Sequence, residues 1–594
     1  MKQFFKMFFA SMLAMIVTGV IMVALVIGLI VGAISKSDSD ESRVTVASNS
    51  VLLIDVNKAY HEQGEKNSFA AFSDENSYQA GLYDAINAIK HAKTDDRIKG
   101  IYIKLTPSGN GWATMQQLRA AIVDFKTSKK FVYAYGENIS QGAYYIASAA
   151  DSVYVNPVGD IELKGMTTTI PFFKGTLDKL EIQPEIFYAG KFKSATEPFR
   201  AYEMSPENRH QVSEFQADFW SEFLRAAAEH TKTDTAMINQ WAVSGAIQFP
   251  QDAERLKLVD GLRYWDQVEK LIRTKAGTEE KEEINYVDID NYADHVRGKR
   301  KIKDERIAVL FAEGNIVDGG ETDMRQVASK NMREQIRKIA KNDKVKAVVL
   351  RVNSPGGSAL ASEVILRELE LLKQKKPLVV SMGDLAASGG YYISCKADSI
   401  FAMSNTITGS IGVFGMMFNV ENMLKNKLGV TFDEVKNAPY ADFPTATRPL
   451  TADEAARMQR SIDNVYTVFK SRVAQGRKMT IADVDSIAQG RVWTGSDALR
   501  IGLVDAIGGL DRAIASAAKL AKIDDYQVTT YPEPVDRFEA VMRRFKGSSV
   551  SAEVLKAAME EEMGSDYQYY KQVKALRSMQ GKALMAMPYS LTVK

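Results

Sequence analysis

The 594-residue sequence has little of what many enzymes use for catalysis, because it contains a single cysteine, Cys395, and only five histidines. One cysteine excludes an intrachain disulfide and any metal site built from cysteines alone. None of the histidines belongs to an HExxH or a short HxH motif, which argues against a zinc hydrolase; they are His61, His91, His210, His230 and His295. We therefore expect an enzyme of this composition to work without a metal and without a catalytic histidine.

The sequence also lacks a strong excess of positive or negative charge. The sequence has 76 Lys and Arg against 74 Asp and Glu, so its net charge is +2. A balance this close to zero gives no electrostatic case for binding nucleic acid. Hydrophobic residues make up 45% and charged residues 25%, which is typical of a globular protein and argues against a disordered, collagen-like or polytopic membrane chain.

The N-terminus carries the longest uncharged run in the sequence. Residues 7–35 contain no charged side chain, and 29 residues exceed the roughly 20 that a membrane-spanning helix needs. Lys2 and Lys6 precede this run, and the polar stretch 36–49 follows it as a predicted tether. The positive-inside rule then places residues 1–6 in the cytoplasm and the body outside, which in a bacterium means the periplasmic side of the inner membrane. A cleaved signal peptide is the alternative interpretation.

An internal duplication organises the rest of the chain. Gln141–Ser152 and Ser388–Ser399 are identical at seven of twelve positions, at an offset of 247 residues. The same offset aligns Asp95–Gly109 with Asn342–Gly356. Such self-similarity predicts two homologous domains. The predicted segments are a first repeat at 50–276, a charged linker at 277–305, a second repeat at 306–531 and a helical extension at 532–594.

Within each repeat, short apolar runs alternate with amphipathic segments. Ala347–Val352 is apolar and rich in valine, as expected of a strand buried on both faces, and Leu360–Gln374 has helical periodicity. Leu378–Met382 and Ile400–Met403 are further predicted strands. Alternation of strand and helix predicts right-handed βαβ units and a parallel sheet, hence an α/β fold.

Two motifs follow predicted strands directly. Asn353–Ser358 (NSPGGS) contains two glycines that would let the backbone approach a ligand, although a plain turn is the simpler interpretation. Met382–Tyr392 (MGDLAASGGYY) places Ser388 at the start of a predicted helix. A serine there is an ordinary helix cap or, equally well placed, a nucleophile whose oxyanion the helix N–H groups would stabilise.

These motifs carry a resemblance to a known family. The SPGG and AASGGYY motifs, the segment Thr408–Gly412 (TGSIG), the duplication and the N-terminal run together resemble the long, duplicated signal peptide peptidases (protease IV) of the Clp protease/crotonase superfamily. The resemblance covers residues 50–530. It implies tandem Clp/crotonase-like domains after one transmembrane helix, and a serine endopeptidase with a Ser–Lys dyad divided between the repeats.

By this resemblance Ser388 is the nucleophile and Lys193, in Gly190–Ala195 (GKFKSA), is the general base, with Lys191 as the alternative lysine. A lysine acts as a base only if burial lowers its pKa by several units. The other implied site residues are Ser410, which would hydrogen-bond Lys193, and the oxyanion-hole glycines Gly356 or Gly357 and Gly389.

The duplication tests this assignment independently. At the offset of 247, Gln141 stands opposite Ser388, Leu163 opposite Ser410, and Tyr440 opposite Lys193. Each repeat would then hold half of a dyad, as expected if two ancestral sites lost complementary halves. Lys436 lies close to Tyr440, so a short alignment gap would weaken the last comparison.

The resemblance further implies hydrophobic peptide substrates, such as cleaved signal peptides, contact with membrane lipid through residues 7–35, and a homotetramer that binds no nucleic acid. Two other functions remain open from the residues alone. One is a crotonase-like acyl-CoA enzyme, and the other is an inactive membrane-tethered scaffold. The apolar tail Ala583–Leu591 also suggests a segment that could reach an active site and be trimmed, with an ordinary packed terminus as the alternative.

Overall fold

The computed structural model describes Thr18 and residues 46–66, 78–298, 303–320, 325–533 and 583–586. The predicted anchor at 7–35 therefore lies outside the described residues apart from Thr18, as do most of the tether and residues 534–582 and 587–594 of the predicted helical extension. Among the residues that are described, no helix is both long and apolar enough to cross a bilayer.

The first repeat is a mixture of strands and helices in alternating order. Its strands are β1 (Ser50–Asp55), β2 (Glu65–Lys66), β3 (Tyr78–Gln79), β4 (Ile98–Lys104), β5 (Phe131–Ile139), β6 (Ser152–Ile161), β7 (Gln183–Ala189), β8 (Gly261–Leu262) and β9 (Tyr286–Asp288). Its helices are α1 (Leu82–Ala92), α2 (Trp112–Lys126), α3 (Gln141–Ala147), α4 (Lys174–Lys179), α5 (Glu197–Arg200), α6 (Pro206–Thr231), α7 (Thr235–Ser244), α8 (Pro250–Arg255), α9 (Trp265–Ala276) and α10 (Ile289–Gly298).

The second repeat follows the same alternation. Its strands are β10 (Arg306–Glu313), β11 (Asn315–Val317), β12 (Gln326–Ala328), β13 (Val345–Ser354), β14 (Gly356–Ser358), β15 (Leu378–Ala387), β16 (Ser399–Ala402), β17 (Ile407–Gly409), β18 (Val413–Asn419), β19 (Val492–Thr494), β20 (Ala506–Ile507) and β21 (Gln527–Tyr531), and β22 (Leu584–Ala586) lies in the tail. Its helices are α11 (Ser329–Lys341), α12 (Ala359–Lys373), α13 (Gly389–Ser394), α14 (Ala452–Arg477), α15 (Ile481–Ile487), α16 (Gly495–Arg500) and α17 (Leu510–Ala521).

Each repeat is built on its own sheet. In the first, six strands lie in the order β8-β6-β5-β4-β1-β9, and all the pairs are parallel. In the second, the order β19-β17-β15-β13-β10-β21 is parallel except where β17 meets β19, and β16 and β20 branch from β15. The predicted α/β fold with parallel βαβ units is confirmed for these sheets.

The sheet cores explain why the apolar runs form strands. In β13 the four residues 347–350 (AVVL) are completely buried, because helices cover both faces of the sheet. Helix α12 presents Ile365, Leu369 and Leu372 to this sheet at helical spacing, and all three are buried. The strand predicted at Ala347–Val352 and the helix predicted at Leu360–Gln374 thus correspond to β13 and α12.

A third sheet joins the two repeats. Its strand order is β12-β11-β14-β22-β18-β7, so β7 of the first repeat lies beside β18 of the second. The β7–β18 pairing is antiparallel and runs through seven residue pairs, from Val413 opposite Ala189 to Asn419 opposite Gln183. This pairing carries the chain that follows β7 into the second repeat.

The segment predicted as a charged linker, 277–305, contains two regular elements. Strand β9 pairs in parallel with β1, and α10 buries Ile289, Tyr292 and Ala293 against the first repeat. Within the extension predicted to be helical, Leu584–Ala586 form strand β22.

Candidate active site

Ser388 occupies a sharp turn between β15 and α13. Its backbone φ and ψ are 56° and −114°, a conformation that a residue with a side chain rarely adopts and that costs about 1–3 kcal/mol. The turn is held at both ends, because the Ser388 N–H donates to the Gly409 carbonyl (2.8 Å) and the Tyr392 N–H donates to the Ser388 carbonyl (2.8 Å). The side chain caps nothing. Ser388 is therefore not the ordinary helix cap that the sequence also allowed.

The first repeat shows the relaxed form of the same turn. The residue opposite Ser388 is Gln141, the first residue of α3, whose φ is not positive. The helix cap is Ser140, one position earlier, whose φ and ψ of −68° and 156° are ordinary and whose Oγ accepts a bond from the Ala143 N–H (3.3 Å). The strained conformation therefore belongs only to the repeat that carries Ser388. Strain retained at one of two duplicated turns is typical of a functional position.

Lys193 reaches Ser388 from the first repeat of the same chain. It lies four residues after β7, in a tight loop where its own N–H donates to the Gly190 carbonyl (3.0 Å). The left-handed φ of Gly190, 105°, turns the chain inward at the end of β7. Because β7 is paired with β18, this loop enters the second repeat beside Ser388.

The lysine side chain lies among three oxygen atoms. Lys193 Nζ is 3.0 Å from Ser388 Oγ, 2.9 Å from Ser410 Oγ and 3.3 Å from the Ser410 carbonyl oxygen. All three residues are at most 1% exposed. The predicted residues Lys193, Ser388 and Ser410 are therefore brought together in one buried cluster.

Burial sets the protonation of this lysine. Removal from water penalises the ammonium form and lowers the pKa of Lys193 from its ordinary 10.5 to about 7. Near neutral pH, a large fraction of the molecules therefore carry Lys193 as an uncharged amine. A neutral amine has two N–H groups and one lone pair, so it can donate to both Ser410 oxygens and still accept the proton of the Ser388 hydroxyl.

The alternative lysine lies elsewhere. Lys191 is exposed, and its Nζ lies over the ring of Phe192, 5.4 Å from the ring centroid. It is not among the groups that contact Ser388 Oγ. The geometry thus favours Lys193 over Lys191.

Three glycines surround the space in front of Ser388. Gly356 and Gly357 have φ of 97° and 156°, and a Cβ at Gly356 would lie 2.6 Å from the Gly389 nitrogen. The Gly356 N–H donates to Ser354 Oγ (3.2 Å). Because the Gly356 N–H already has this partner, the remaining candidate donors to an oxyanion are the N–H groups of Gly357 and Gly389.

The counterparts in the duplicated positions lack this chemistry. Gln141 Oε1 accepts bonds from the Lys164 and Gly165 N–H groups (both 3.2 Å), so the side chain fills its own turn, and Leu163 is buried. Tyr440 is partly exposed and donates its hydroxyl hydrogen to Asp453. Lys436, the lysine near Tyr440, forms a salt bridge with Asp442 (2.7 Å).

Two supporting residues were not anticipated from sequence. Gln211, on α6, donates to the Phe192 carbonyl (3.2 Å) and to Ser194 Oγ (3.1 Å), and so holds the loop on both sides of Lys193. Gly490 approaches the loop from the second repeat, where a Cβ would lie 2.6 Å from the Lys193 Cβ. No local motif marks either residue, because both act through contacts between distant segments.

Strand β22 of the tail lies between β14 and β18 and is antiparallel to both. Its residues Leu584 and Ala586 form a small buried cluster with Ala195 and Phe414. The site can therefore accommodate an extended chain by strand addition.

Comparison with known proteins agrees with this architecture. The sequence profile of peptidase family S49 matches the chain twice, at residues 124–279 and 370–524, once in each repeat. The chain belongs to peptidase family S49. Two matches in one chain also confirm that its S49 domains are duplicated.

Curated relatives of this S49 peptidase are named as proteases. "Protease 4" of Salmonella typhi is 39% identical over 511 residues, which are 84% of this chain and 81% of the relative. "Serine protease SPPA, chloroplastic" of Arabidopsis thaliana is 33% identical over 441 residues, 73% of this chain and 64% of the relative. Among solved structures, a ClpP1 mutant from Listeria monocytogenes has a TM-score of 0.24 at 13% identity, covering 35% of this chain and 94% of that one. The family and the relatives make the chain a serine peptidase, and the expected resemblance to protease IV is confirmed.

Proposed function

We propose that this S49 peptidase is a serine endopeptidase in which Ser388 is the nucleophile and Lys193 of the first repeat is the general base. The observation that carries the proposal is the 3.0 Å separation of Lys193 Nζ and Ser388 Oγ inside a buried cluster. A pKa of about 7 for the Lys193 amine adds support, because a base with this pKa is available at neutral pH.

Acylation begins when the Lys193 lone pair accepts the proton of the Ser388 hydroxyl. Ser388 Oγ then forms a bond to the carbonyl carbon of the substrate, and the carbonyl oxygen becomes an oxyanion. We assign the N–H groups of Gly357 and Gly389 as its donors, with Gly356 providing space for the close approach. The Lys193 ammonium returns the proton to the amide nitrogen, the C–N bond breaks, and the amine product leaves.

Deacylation repeats these steps with water. Lys193 removes a proton from the attacking water, the Ser388 ester is hydrolysed, and the proton returns to Ser388 Oγ. Ser410 is a positioning residue in this scheme, because its Oγ and carbonyl accept the two N–H groups of the neutral amine and leave the lone pair directed at Ser388. No metal or cofactor takes part in either step.

The substrate that fits is an extended apolar peptide. A strand between β14 and β18 would be held by backbone hydrogen bonds on both sides, which bind any sequence. The lining by Ala195 and Phe414 favours apolar side chains at alternate positions. Hydrophobic peptides such as cleaved signal peptides satisfy both requirements.

The test is labelling by a fluorophosphonate probe together with cleavage of an apolar fluorogenic peptide. We expect the wild-type chain to react with both and the Ser388→Ala chain to react with neither. Lys193→Ala should abolish cleavage, whereas Lys191→Ala, two residues away and exposed, is the matched control and should retain it. Undiminished cleavage by Lys193→Ala would refute the assignment of the base.

We further propose that residues 7–35 anchor the chain in the bacterial inner membrane, with the N-terminus cytoplasmic and the peptidase body periplasmic, and that four chains assemble. The uncharged run of 29 residues supports the anchor, and the family resemblance supports the tetramer. Resistance to carbonate extraction, lost on deletion of 7–35, tests the anchor. A mass of four chains by light scattering in detergent tests the assembly.

A further inference from the structure

Strand β15 carries a bulge at residues 383–385, close to its C-terminal end. Its parallel pairing with β13 places Met382 opposite Val352 and resumes with Ala386 opposite Ser354. Three residues of β15 therefore face a single residue of β13. A bulge bends its strand and re-aims the residues that follow, and bulges recur beside active sites.

The middle residue of this bulge is held by the first repeat. Asp384 accepts hydrogen bonds from the N–H (2.8 Å) and the hydroxyl (2.6 Å) of Thr114. Thr114 lies in the first turn of α2, where N–H groups have no partner within the helix and Gly111 supplies no side-chain cap. A Cβ at Gly111 would lie 2.3 Å from the Asp384 carboxyl carbon, so this glycine leaves room for the carboxylate. Asp384 thus caps α2 from the other repeat.

A second side chain of the first repeat contacts the same bulge. Glu62 is 2% exposed, and a Cβ at Gly383 would lie 2.4 Å from its Oε1. The same oxygen accepts a bond from Asn353 Nδ2 (2.9 Å), and Asn353 Oδ1 accepts one from the Leu385 N–H (3.1 Å). The first repeat therefore contacts the first two residues of the bulge directly and the third through Asn353.

The duplicated position shows the same kind of residue without this contact. At the offset of 247, Glu137 stands opposite Asp384, four residues before Gln141. Glu137 lies in β5, and its side chain is exposed. The repeat that has glutamine in place of Ser388 thus leaves the equivalent carboxylate in water, just as its equivalent turn is relaxed.

We propose that Asp384 is a positioning residue through which the first repeat orients Ser388. The inference rests on the proposed function and gives the first repeat a second contribution besides Lys193. Pairing of Ala386 and Ala387 with β17 holds the end of β15 within its own sheet. The contact of Asp384 with α2 then sets the position of this strand end relative to the repeat that supplies the base. The 3.0 Å between Lys193 Nζ and Ser388 Oγ is therefore fixed from both sides by the docking of one repeat on the other.

The experiment compares full chains purified in detergent by kcat and KM for an apolar fluorogenic peptide, beside thermal unfolding. Asp384→Ala removes both bonds to Thr114 and should lower kcat on the order of 100-fold, as a displacement of about 1 Å can do. KM should change little, because a displaced nucleophile slows the reaction without altering the strands that bind the peptide. Thr114→Val removes only the hydroxyl bond and should lower kcat about tenfold. Glu137→Ala is the matched change at the duplicated position and should leave kcat and KM as in the wild type.

The pH–rate profile separates positioning from a general loosening of the site. Lys193 stays buried in a chain whose nucleophile is only displaced, so the acidic limb of the Asp384→Ala profile should remain near pH 7. A site opened to water would instead move this limb toward 10.5, the ordinary pKa of lysine.

Each outcome decides the proposal. A folded Asp384→Ala chain with the kcat of the wild type overturns the positioning role and leaves the proposed function standing, as does an acidic limb displaced toward 10.5 or an equal loss in Glu137→Ala. If Asp384→Ala does not fold, wild-type kcat in Thr114→Val overturns the role by itself. A wild-type chain that neither reacts with a fluorophosphonate probe nor cleaves peptides overturns the proposed function and the positioning role together.

Discussion

Gly490 supports the loop that carries Lys193, and an added methyl group there should disturb catalysis. A Cβ at this position would lie 2.6 Å from the Lys193 Cβ, 2.7 Å from its nitrogen and 2.8 Å from its Cα, whereas ordinary contacts measure 3.4–4 Å. Backbone atoms cannot rotate away as a flexible side chain does. In Gly490→Ala the loop must therefore move by about 1 Å, and a misplacement of this size can cost on the order of 100-fold in rate.

The methyl group also has a conformational cost that must be separated from the displacement. Gly490 has a φ of 76°, where a side chain costs roughly 1–2 kcal/mol. Gly245, which ends α7, has a φ of 61° and nothing within 4 Å of its would-be Cβ, so Gly245→Ala carries the conformational cost alone. Gly490→Ala should therefore lose more thermal stability than Gly245→Ala, by the cost of the displacement.

The assay is kcat/KM for an apolar fluorogenic peptide, measured beside thermal unfolding. We expect a loss on the order of 100-fold for Gly490→Ala and wild-type activity for Gly245→Ala. If folded Gly490→Ala matches the kcat/KM of Gly245→Ala, the contact with Lys193 does not position the base and the reasoning fails.

The remaining predictions concern charge. Because the pKa of Lys193 is about 7, kcat/KM should fall about tenfold per pH unit below pH 7, and a pH–rate profile without this limb would exclude Lys193 as the base. Folding weakens proton binding by Lys193, so its burial destabilises the chain fully below pH 7 and progressively less up to pH 10.5; in urea titrations the free energy of unfolding of the wild type relative to Lys193→Met should therefore rise with pH across this window, by on the order of 4 kcal/mol. Arg351 and Glu62 form a fully buried ion pair between the repeats (2.7 Å), so Arg351→Leu should cost about 3–5 kcal/mol and the double variant with Glu62→Leu should recover much of it.

Much of the fold and part of the site could be predicted from sequence, because both follow from local pattern and from comparison of the two repeats. The valine-rich run in β13 predicts a buried strand, and the duplication contrasts Ser388 with Gln141 at one aligned position. The structure then places Lys193 beside Ser388. The segment 277–305 was interpreted as a linker because it is rich in charged residues. The apolar residues of helix α10 are too few and too widely spaced among these charges to indicate a helix.

The contacts that deliver and support Lys193 could not be predicted in this way. Strand β7 pairs with β18, more than 220 residues later, and no local pattern specifies a partner at that distance. The sequence around Gly490 resembles that of an ordinary turn. Its importance for the site comes from the Lys193 backbone, which lies directly against Gly490. The apolar tail is recognisable by its composition, but only the structure shows that its residues 584–586 pair with β14.

Division of the proposed dyad between the repeats has a consequence for protein synthesis. Ser388 follows Lys193 by 195 residues, and at about 5–20 residues per second a ribosome adds it some 10–40 s later. During that interval the nascent chain holds the proposed base but not the proposed nucleophile. In the proposed mechanism, peptide hydrolysis begins only after Ser388 has been added and β18 has joined β7, so a nascent chain is not exposed to its own activity during most of its translation.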